Sequence, residues 1–278
     1  TVRRNKTMRI TKATANLEAY TPGEQPKSKS VVKLNTNENP YPPSPRCAKV
    51  LRDFDLDKLR RYPDPVFTAL REEIAALNGT KAENVFVGNG SDEILTLAAR
   101  AFVENDELIA SLNPSYSLYK TLAAIRDVKW VGSPADAAEI DIPKNASLFL
   151  WTNPNAPTGG FVSPKKISAF AKKFDGVVIV DEAYADFSGQ SAVSLIPEYE
   201  NLLVVQTFSK SRSMAGGRLG YAFASRQLIA DLEKLRYCVE NNVSPLALSR
   251  AKLSVDQGTA ELMDCTDYCQ KRLRENRK

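Results

Sequence analysis

The sequence predicts an α/β protein with three layers, α/β/α, around a mostly parallel sheet. Three observations carry this. Seven short apolar runs, such as Val177–Val180 and Leu202–Gln206, show no polar alternation, as strands covered on both faces do not. Stretches with helical spacing of apolar residues lie between most of them. Several runs end on glycine, asparagine or aspartate, the residues that turn a chain at a sheet edge.

Residues 1–30 are polar, hold Pro22, Gly23 and Pro26, and read as an arm. Residues 31–63 are rich in Asn and Pro, as in Asn37-Glu38-Asn39-Pro40-Tyr41-Pro42-Pro43, and predict turns rather than long elements. From residue 64 to 240 the pattern is that of one large domain. Phe67, Leu70, Ile74 and Leu77 share a helix face, and Asn78-Gly79 ends that helix. Asn84–Val87 is a strand, broken by Gly88-Asn89-Gly90, after which Ser91 caps a helix through Phe102. Leu108–Ala110 is a strand and Ser115–Ile125 a helix; Val128–Val131 and Ser147–Trp151 are strands. A helix over Pro164–Phe174 precedes the strand Val177–Val180, and Leu202–Gln206 and Leu219–Ala224 complete the set. After Ser225 the chain reads as helical through Leu235 and again from Pro245 to Lys278, with residues 241–278 opening a second, smaller domain.

Composition narrows the chemistry. Of 278 residues, 43% are hydrophobic and 26% charged, which is ordinary for a globular protein, and no apolar run reaches membrane-spanning length. The net charge of +5 is spread along the chain, with small clusters at Arg3, Arg4, Lys6, Arg9 and at Lys271–Lys278, so neither nucleic acid nor membrane is expected as a partner. Histidine is absent, which excludes Ser-His-Asp and Cys-His catalysis and HExxH zinc sites. Cys47, Cys238, Cys265 and Cys269 read as free thiols in a reducing, cytoplasmic setting, with no metal site.

In a parallel sheet, ligands sit beyond the carboxyl ends of the strands. Gly88–Asp92, Asn113–Tyr116, Thr152–Gly159, Asp181–Tyr184 and Thr207–Arg218 all follow strands and are expected to meet in one cleft. Lys210 leaves a core strand in Thr207-Phe208-Ser209-Lys210-Ser211, and Arg218 follows eight residues later on a glycine-rich turn. A partly buried lysine among cations is a candidate amine nucleophile, and hydroxyls plus an arginine suit a phosphate. Pyridoxal 5′-phosphate (PLP) needs both. Asp181, at the end of an apolar strand, suits a pyridinium partner, and a helix opening at Gly88-Asn89-Gly90-Ser91-Asp92 suits a phosphate. Each residue also has an ordinary alternative. Lys210 reads equally as a surface lysine, Asp181 as a salt-bridge or capping residue, and Tyr116 and Tyr184 as core aromatics.

Together the motifs resemble a known family. Asn153-Pro154-Asn155-Ala156-Pro157-Thr158-Gly159, Asp181-Glu182-Ala183-Tyr184, and Ser209-Lys210 with Gly217-Arg218-Leu219-Gly220 resemble the fold type I PLP-dependent aminotransferases. Leu34–Tyr41, Arg61-Tyr62-Pro63 and Gly88–Glu93 are similar to the histidinol-phosphate aminotransferase subfamily. The resemblance runs from about residue 30 to the end. It implies that Lys210 binds the cofactor's aldehyde and then shuttles the substrate's α-proton. Asp181 would pair with the ring nitrogen, Tyr184 and Asn155 would hold the phenolic oxygen, and Tyr116 would stack on the ring. Ser91, Asp92, Thr207, Ser209 and Arg218 would hold the phosphate, Tyr62 would reach the neighbouring site of a homodimer, and Asn37 and Tyr41 would line the substrate pocket. L-Histidinol phosphate as amino donor and 2-oxoglutarate as acceptor are the implied substrates. An aromatic aminotransferase, a phosphothreonine decarboxylase-like enzyme and a PLP-binding remnant with little turnover are the alternatives. The family's Asn before Pro-Thr-Gly is Ala156 here, and its carboxylate-clamping arginine is expected beyond Lys278, as if the chain were partial.

Overall fold

The apolar runs become seven strands of one sheet, in the order β1-β7-β6-β5-β4-β2-β3. The computed structural model describes residues 10–18, 23–28, 30–137 and 139–239. The strands are β1 (Val85–Gly88), β2 (Leu108–Asn113), β3 (Lys129–Pro134), β4 (Ala146–Thr152), β5 (Val177–Asp181), β6 (Leu202–Thr207) and β7 (Gly220–Ala224). Parallel pairing joins β3, β2, β4, β5 and β6, while β7 runs antiparallel to both β6 and β1. The reversal has a consequence for the site. The start of β7 and the ends of β1 and β6 fall at one edge, where Gly220 pairs with both Gly88 and Thr207.

The helices are α1 (Lys12–Asn16), α2 (Pro45–Arg52), α3 (Thr68–Leu77), α4 (Ser91–Ala101), α5 (Leu118–Arg126), α6 (Pro164–Ala171), α7 (Ala185–Ser188) and α8 (Arg226–Val239). Successive strand residues point to opposite faces. Val178, Val180, Leu202 and Val204 pack against α3 and α6 through Leu70, Ile74, Ile167 and Ala171. Ile179, Leu203 and Val205 pack against α4, α5 and α8 through Ile94, Leu95, Leu122 and Leu232. Both faces are therefore dry, which explains the missing polar alternation.

Three local expectations need correction. Residues 45–52 form a helix where only turns were expected: Pro45 sits in its first turn, where its missing N–H is harmless, and Ser44 accepts from the Arg46 amide at 3.4 Å. Gly90, not Ser91, is the capping residue of α4, with φ of 84°, and Ser91 is the first helical residue. The helix expected from Ser115 starts at Leu118, because Pro114–Ser117 turns beyond the end of β2. The predicted run from Pro245 to Lys278, the two basic clusters, Cys265, Cys269 and the Cys238 side chain lie outside the described residues; Cys47 is buried.

Candidate active site

The strand ends bring their polar residues to one edge. Asp181 closes β5 and is only 3% exposed. Its Oδ2 accepts from Tyr119 Oη at 2.8 Å and its Oδ1 from the Ala183 amide at 3.3 Å. Burial pushes its carboxyl up to about 6, against those two hydrogen bonds and the positive charge of Lys210. A buried carboxylate held by two neutral donors suits a cationic partner.

Lys210 lies beyond the end of β6 and is half-buried. Burial depresses its ammonium, and Arg218 adds to this, while Asp92, Glu38 and Asp181 oppose. Its Nζ donates to the Thr36 carbonyl at 2.7 Å and lies 5.8 Å from the centre of the Tyr184 ring. The segment carrying Thr36 is folded over the lysine. Asn37 donates to Tyr184 Oη at 2.9 Å, and Asn39 donates to the carbonyls of Lys210 at 3.3 Å and Ser211 at 3.2 Å. Six non-glycine residues among those described have left-handed φ, and four of them, Thr36, Asn37, Ser213 and Arg218, lie on these two segments. Backbone strain of this kind concentrates where a site dictates geometry.

The phosphate-like corner is built around the start of α4. This helix has no side-chain cap, so its first amides are open. Arg218 lies across them: a Cβ on Gly90 would meet its guanidinium at 2.7 Å, and its Nη2 stands 3.7 Å from Asp92 Oδ2. Gly220 is required as well, because a Cβ there would meet the Ser91 amide nitrogen at 2.4 Å. Thr207 Oγ1 donates to Ser209 Oγ at 3.0 Å and accepts from the Ser209 amide at 3.1 Å, which holds both hydroxyls at the end of β6. Tyr116 packs edge-on against Tyr119, with centroids 5.7 Å apart, and donates to Asp92 at 3.3 Å.

Asn155 is buried and fully engaged. Its Oδ1 accepts from Ser115 at 2.8 Å, and its amide hydrogens go to the Pro114 carbonyl and Thr158 Oγ1, each at 2.9 Å. In this arrangement it shapes the Pro-Thr-Gly turn and has no hydrogen left for a cofactor's phenolic oxygen. Tyr62 is 96% exposed, and Tyr41 is partly exposed. The sequence reading missed Tyr119 and gave no role to Thr152 or Thr36, although Thr152 stands in a segment expected at the cleft and Thr36 in a recognised motif. A tyrosine three residues after Tyr116, one helical turn on, is the only signal that pointed at Tyr119.

The motif for aminotransferase class I and II matches residues 29–278. The chain belongs to the class I and II aminotransferases. Among similar family members, one named histidinol-phosphate aminotransferase from Chromohalobacter salexigens is 45% identical over 258 residues, which are 91% of this chain and 71% of that one. Another, named histidinol-phosphate aminotransferase 1, from Bradyrhizobium diazoefficiens, is 48% identical over 225 residues, 79% of this chain and 64% of that one. The crystal structure of histidinol-phosphate aminotransferase from Sinorhizobium meliloti in complex with pyridoxal-5′-phosphate superposes with a TM-score of 0.83 at 22% identity, covering 94% of this chain and 74% of that one. As a class I and II aminotransferase, the chain is a PLP-dependent transaminase. The residues present fit that cofactor: a lysine of depressed proton affinity for the aldehyde, a cation-seeking buried carboxylate for the ring, and open helix amides, hydroxyls and a guanidinium for the phosphate.

Proposed function

We propose that this aminotransferase acts on L-histidinol phosphate with 2-oxoglutarate as amino acceptor, in histidine biosynthesis, as a cytoplasmic homodimer. The observation that carries the reading is the placement of Lys210, with its proton affinity depressed by burial, beside Asp181 and the Arg218 corner. The similarity to family members named for that activity supports the substrate.

In this reading the cofactor, when bound, supplies an aldehyde for an amine and a protonated ring that takes up the electron pair left by the α-proton. Lys210 Nζ, as a neutral amine, would take the proton from the substrate's α-carbon and deliver it to the cofactor carbon that bore the aldehyde; burial lowers its proton affinity, which favours the neutral amine. Asp181, as a carboxylate, would keep the ring nitrogen protonated by pairing with it. Arg218, the amides of Ser91 and Asp92, and the hydroxyls of Thr207 and Ser209 hold the phosphate. Tyr184, to which Asn37 donates, would hold the phenolic oxygen, and Tyr116 would lie against the ring. Asn37 and Tyr41 face the substrate, and the exposed Tyr62 is offered to the neighbouring subunit's site.

Arg218→Ala is expected to weaken PLP binding about 10- to 100-fold, the worth of about 1.5–3 kcal/mol for hydrogen bonds to a charged group, with the fold unchanged. A fluorescence titration of the cofactor-free protein measures it, and an unchanged affinity would remove Arg218 from the phosphate site. The substrate assignment is tested with a panel: L-histidinol phosphate, aromatic amino acids and phosphothreonine, each with 2-oxoglutarate, with products identified. Selective conversion of L-histidinol phosphate is expected. Carbon dioxide release from phosphothreonine, or preference for aromatic amino acids, would replace the reading, and cofactor binding without turnover of any substrate would make the chain a PLP-binding remnant. Sedimentation at twice the monomer mass is expected, and a monomer would leave Tyr62 without its role.

A further inference from the structure

Behind Asp181 runs a chain of hydroxyls that the sequence motifs do not contain. Tyr119 Oη donates to Asp181 Oδ2 at 2.8 Å and lies 2.5 Å from Thr152 Oγ1. Thr152 Oγ1 lies 2.9 Å from Ser115 Oγ, which lies 2.8 Å from Asn155 Oδ1. Tyr119 is 1% exposed and Thr152 2%, so no bulk water competes along the inner links. The Asn155 amide group points at the Pro114 carbonyl and at Thr158, which fixes Oδ1 as the end facing Ser115.

Counting protons along this line gives the inference. Each of the three hydroxyls carries one, and Asn155 Oδ1 and an ionised Asp181 carry none. Four contacts then share three protons, and one link is always empty. When Asp181 is protonated there are four protons for four links. The line then points one way, from Asp181 through Tyr119, Thr152 and Ser115 to Asn155. Ser115 donates to Asn155 in both states; ionising Asp181 reverses only the Asp181–Tyr119 link and leaves one of the two inner links empty. We infer that Tyr119, relayed through Thr152 and Ser115, is a positioning residue that sets whether the proton rests on Asp181 or on the cofactor's ring nitrogen. The other groups facing Asp181 are Asp92 on α4, Lys210 beyond β6 and Tyr116 before α5; Asp92 and Lys210 act on it in opposite senses. Burial raises the Tyr119 hydroxyl far above its ordinary value, so it serves as a donor and does not itself ionise. The inference rests on Asp181 facing the ring nitrogen.

The test uses the holoenzyme loaded with PLP labelled with nitrogen-15 in the ring, whose resonance reports protonation directly, alongside the pH dependence of the visible band. In Tyr119→Phe, Asp181 loses its donor and holds the proton more tightly. The resonance is expected to move toward the unprotonated value, and turnover to fall about tenfold, the effect of losing one hydrogen bond to a charged group. In Thr152→Val, Tyr119 keeps Asp181 as its only acceptor, and the resonance is expected to stay at the protonated value. A Tyr119→Phe holoenzyme with an unmoved resonance would overturn the relay, as would both variants moving alike, which is what a merely structural role would give. Lys210→Ala separates this from the site assignment. If the visible band survives there, the assignment fails. If it is lost there while the Tyr119→Phe resonance stays still, the relay alone fails.

Discussion

Lys210→Ala is expected to remove both the covalent attachment of PLP and the transaminase activity. Two roles fall together, because the same nitrogen binds the cofactor and carries the α-proton. General base catalysis alone contributes about 10²–10⁴-fold, so turnover should drop by about 10⁴-fold or more once the covalent role is lost as well. The protein should still fold, since the Lys210 side chain is half-buried, its Nζ donates to the Thr36 carbonyl, and the backbone hydrogen bonds of the residue survive the substitution. Borohydride reduction followed by peptide mass analysis reads the result. Wild type should carry the reduced cofactor on Lys210, and the variant should carry none. A variant that retains one stoichiometrically reduced site would show that another amine is the nucleophile.

Asp181→Asn is expected to lose catalysis while gaining stability. The substitution keeps the shape and the Tyr119 contact but removes the charge that pairs with the protonated ring. Breaking a buried ion pair costs about 3–5 kcal/mol, so turnover should fall about 10²- to 10⁴-fold. The stability effect has the opposite sign. The folded carboxyl is raised from 3.8 to about 6, so the folded state binds this proton more tightly than the unfolded chain does. Stability from this group is complete below about pH 3.8 and is lost as the pH rises to 6. Above that, burying the ionised form costs about 3 kcal/mol, reduced to about 2 kcal/mol of net gain in the variant because the Ala183 amide loses its acceptor. The cofactor-free variant should therefore melt several degrees higher than wild type at pH 8 and slightly lower at pH 4, where only the lost Ala183 hydrogen bond remains. Glu182 adds a second decline in the wild type. It is buried among Ser191, Gln206 and the Ala192 amide, and burial raises it to about 7. Melting curves across pH 4–8 measure both effects, and equal melting temperatures at pH 8 would contradict the buried, uncompensated state of Asp181.

Much of the fold is legible because burial on both faces writes itself as unbroken apolar runs, and because glycines and asparagines mark the strand ends. What stays hidden is orientation and distance. The pattern of Gly220–Ala224 is that of any buried strand, so nothing local announces that β7 runs against its neighbours. Helix α2 is masked because prolines read as breakers, although Pro45 occupies the one turn of a helix that tolerates it. In the site, Lys210, Asp181 and Arg218 stand out as charges at the ends of core strands, where charge needs a reason. Tyr119 does not stand out, because a buried tyrosine on an amphipathic helix looks like core. Its hydrogen bond to Asp181 spans 62 residues, and that of Lys210 to Thr36 spans 174, separations that no local pattern encodes. Asn155 shows the reverse limit: the motif singles it out for the cofactor, while the geometry engages its side chain with Ser115 and Pro114 beyond β2 and with Thr158 in the turn.

The central claim is that Lys210, Asp181 and the Arg218 corner form one PLP site that runs transamination on L-histidinol phosphate. A visible absorption spectrum of the purified chain with PLP, recorded before and after adding L-histidinol phosphate without any acceptor, tests it most directly. The account predicts a visible band that is absent in Lys210→Ala and that gives way, in wild type, to the ultraviolet band of pyridoxamine phosphate. A band that is missing in wild type, or that persists unchanged in Lys210→Ala, would contradict it.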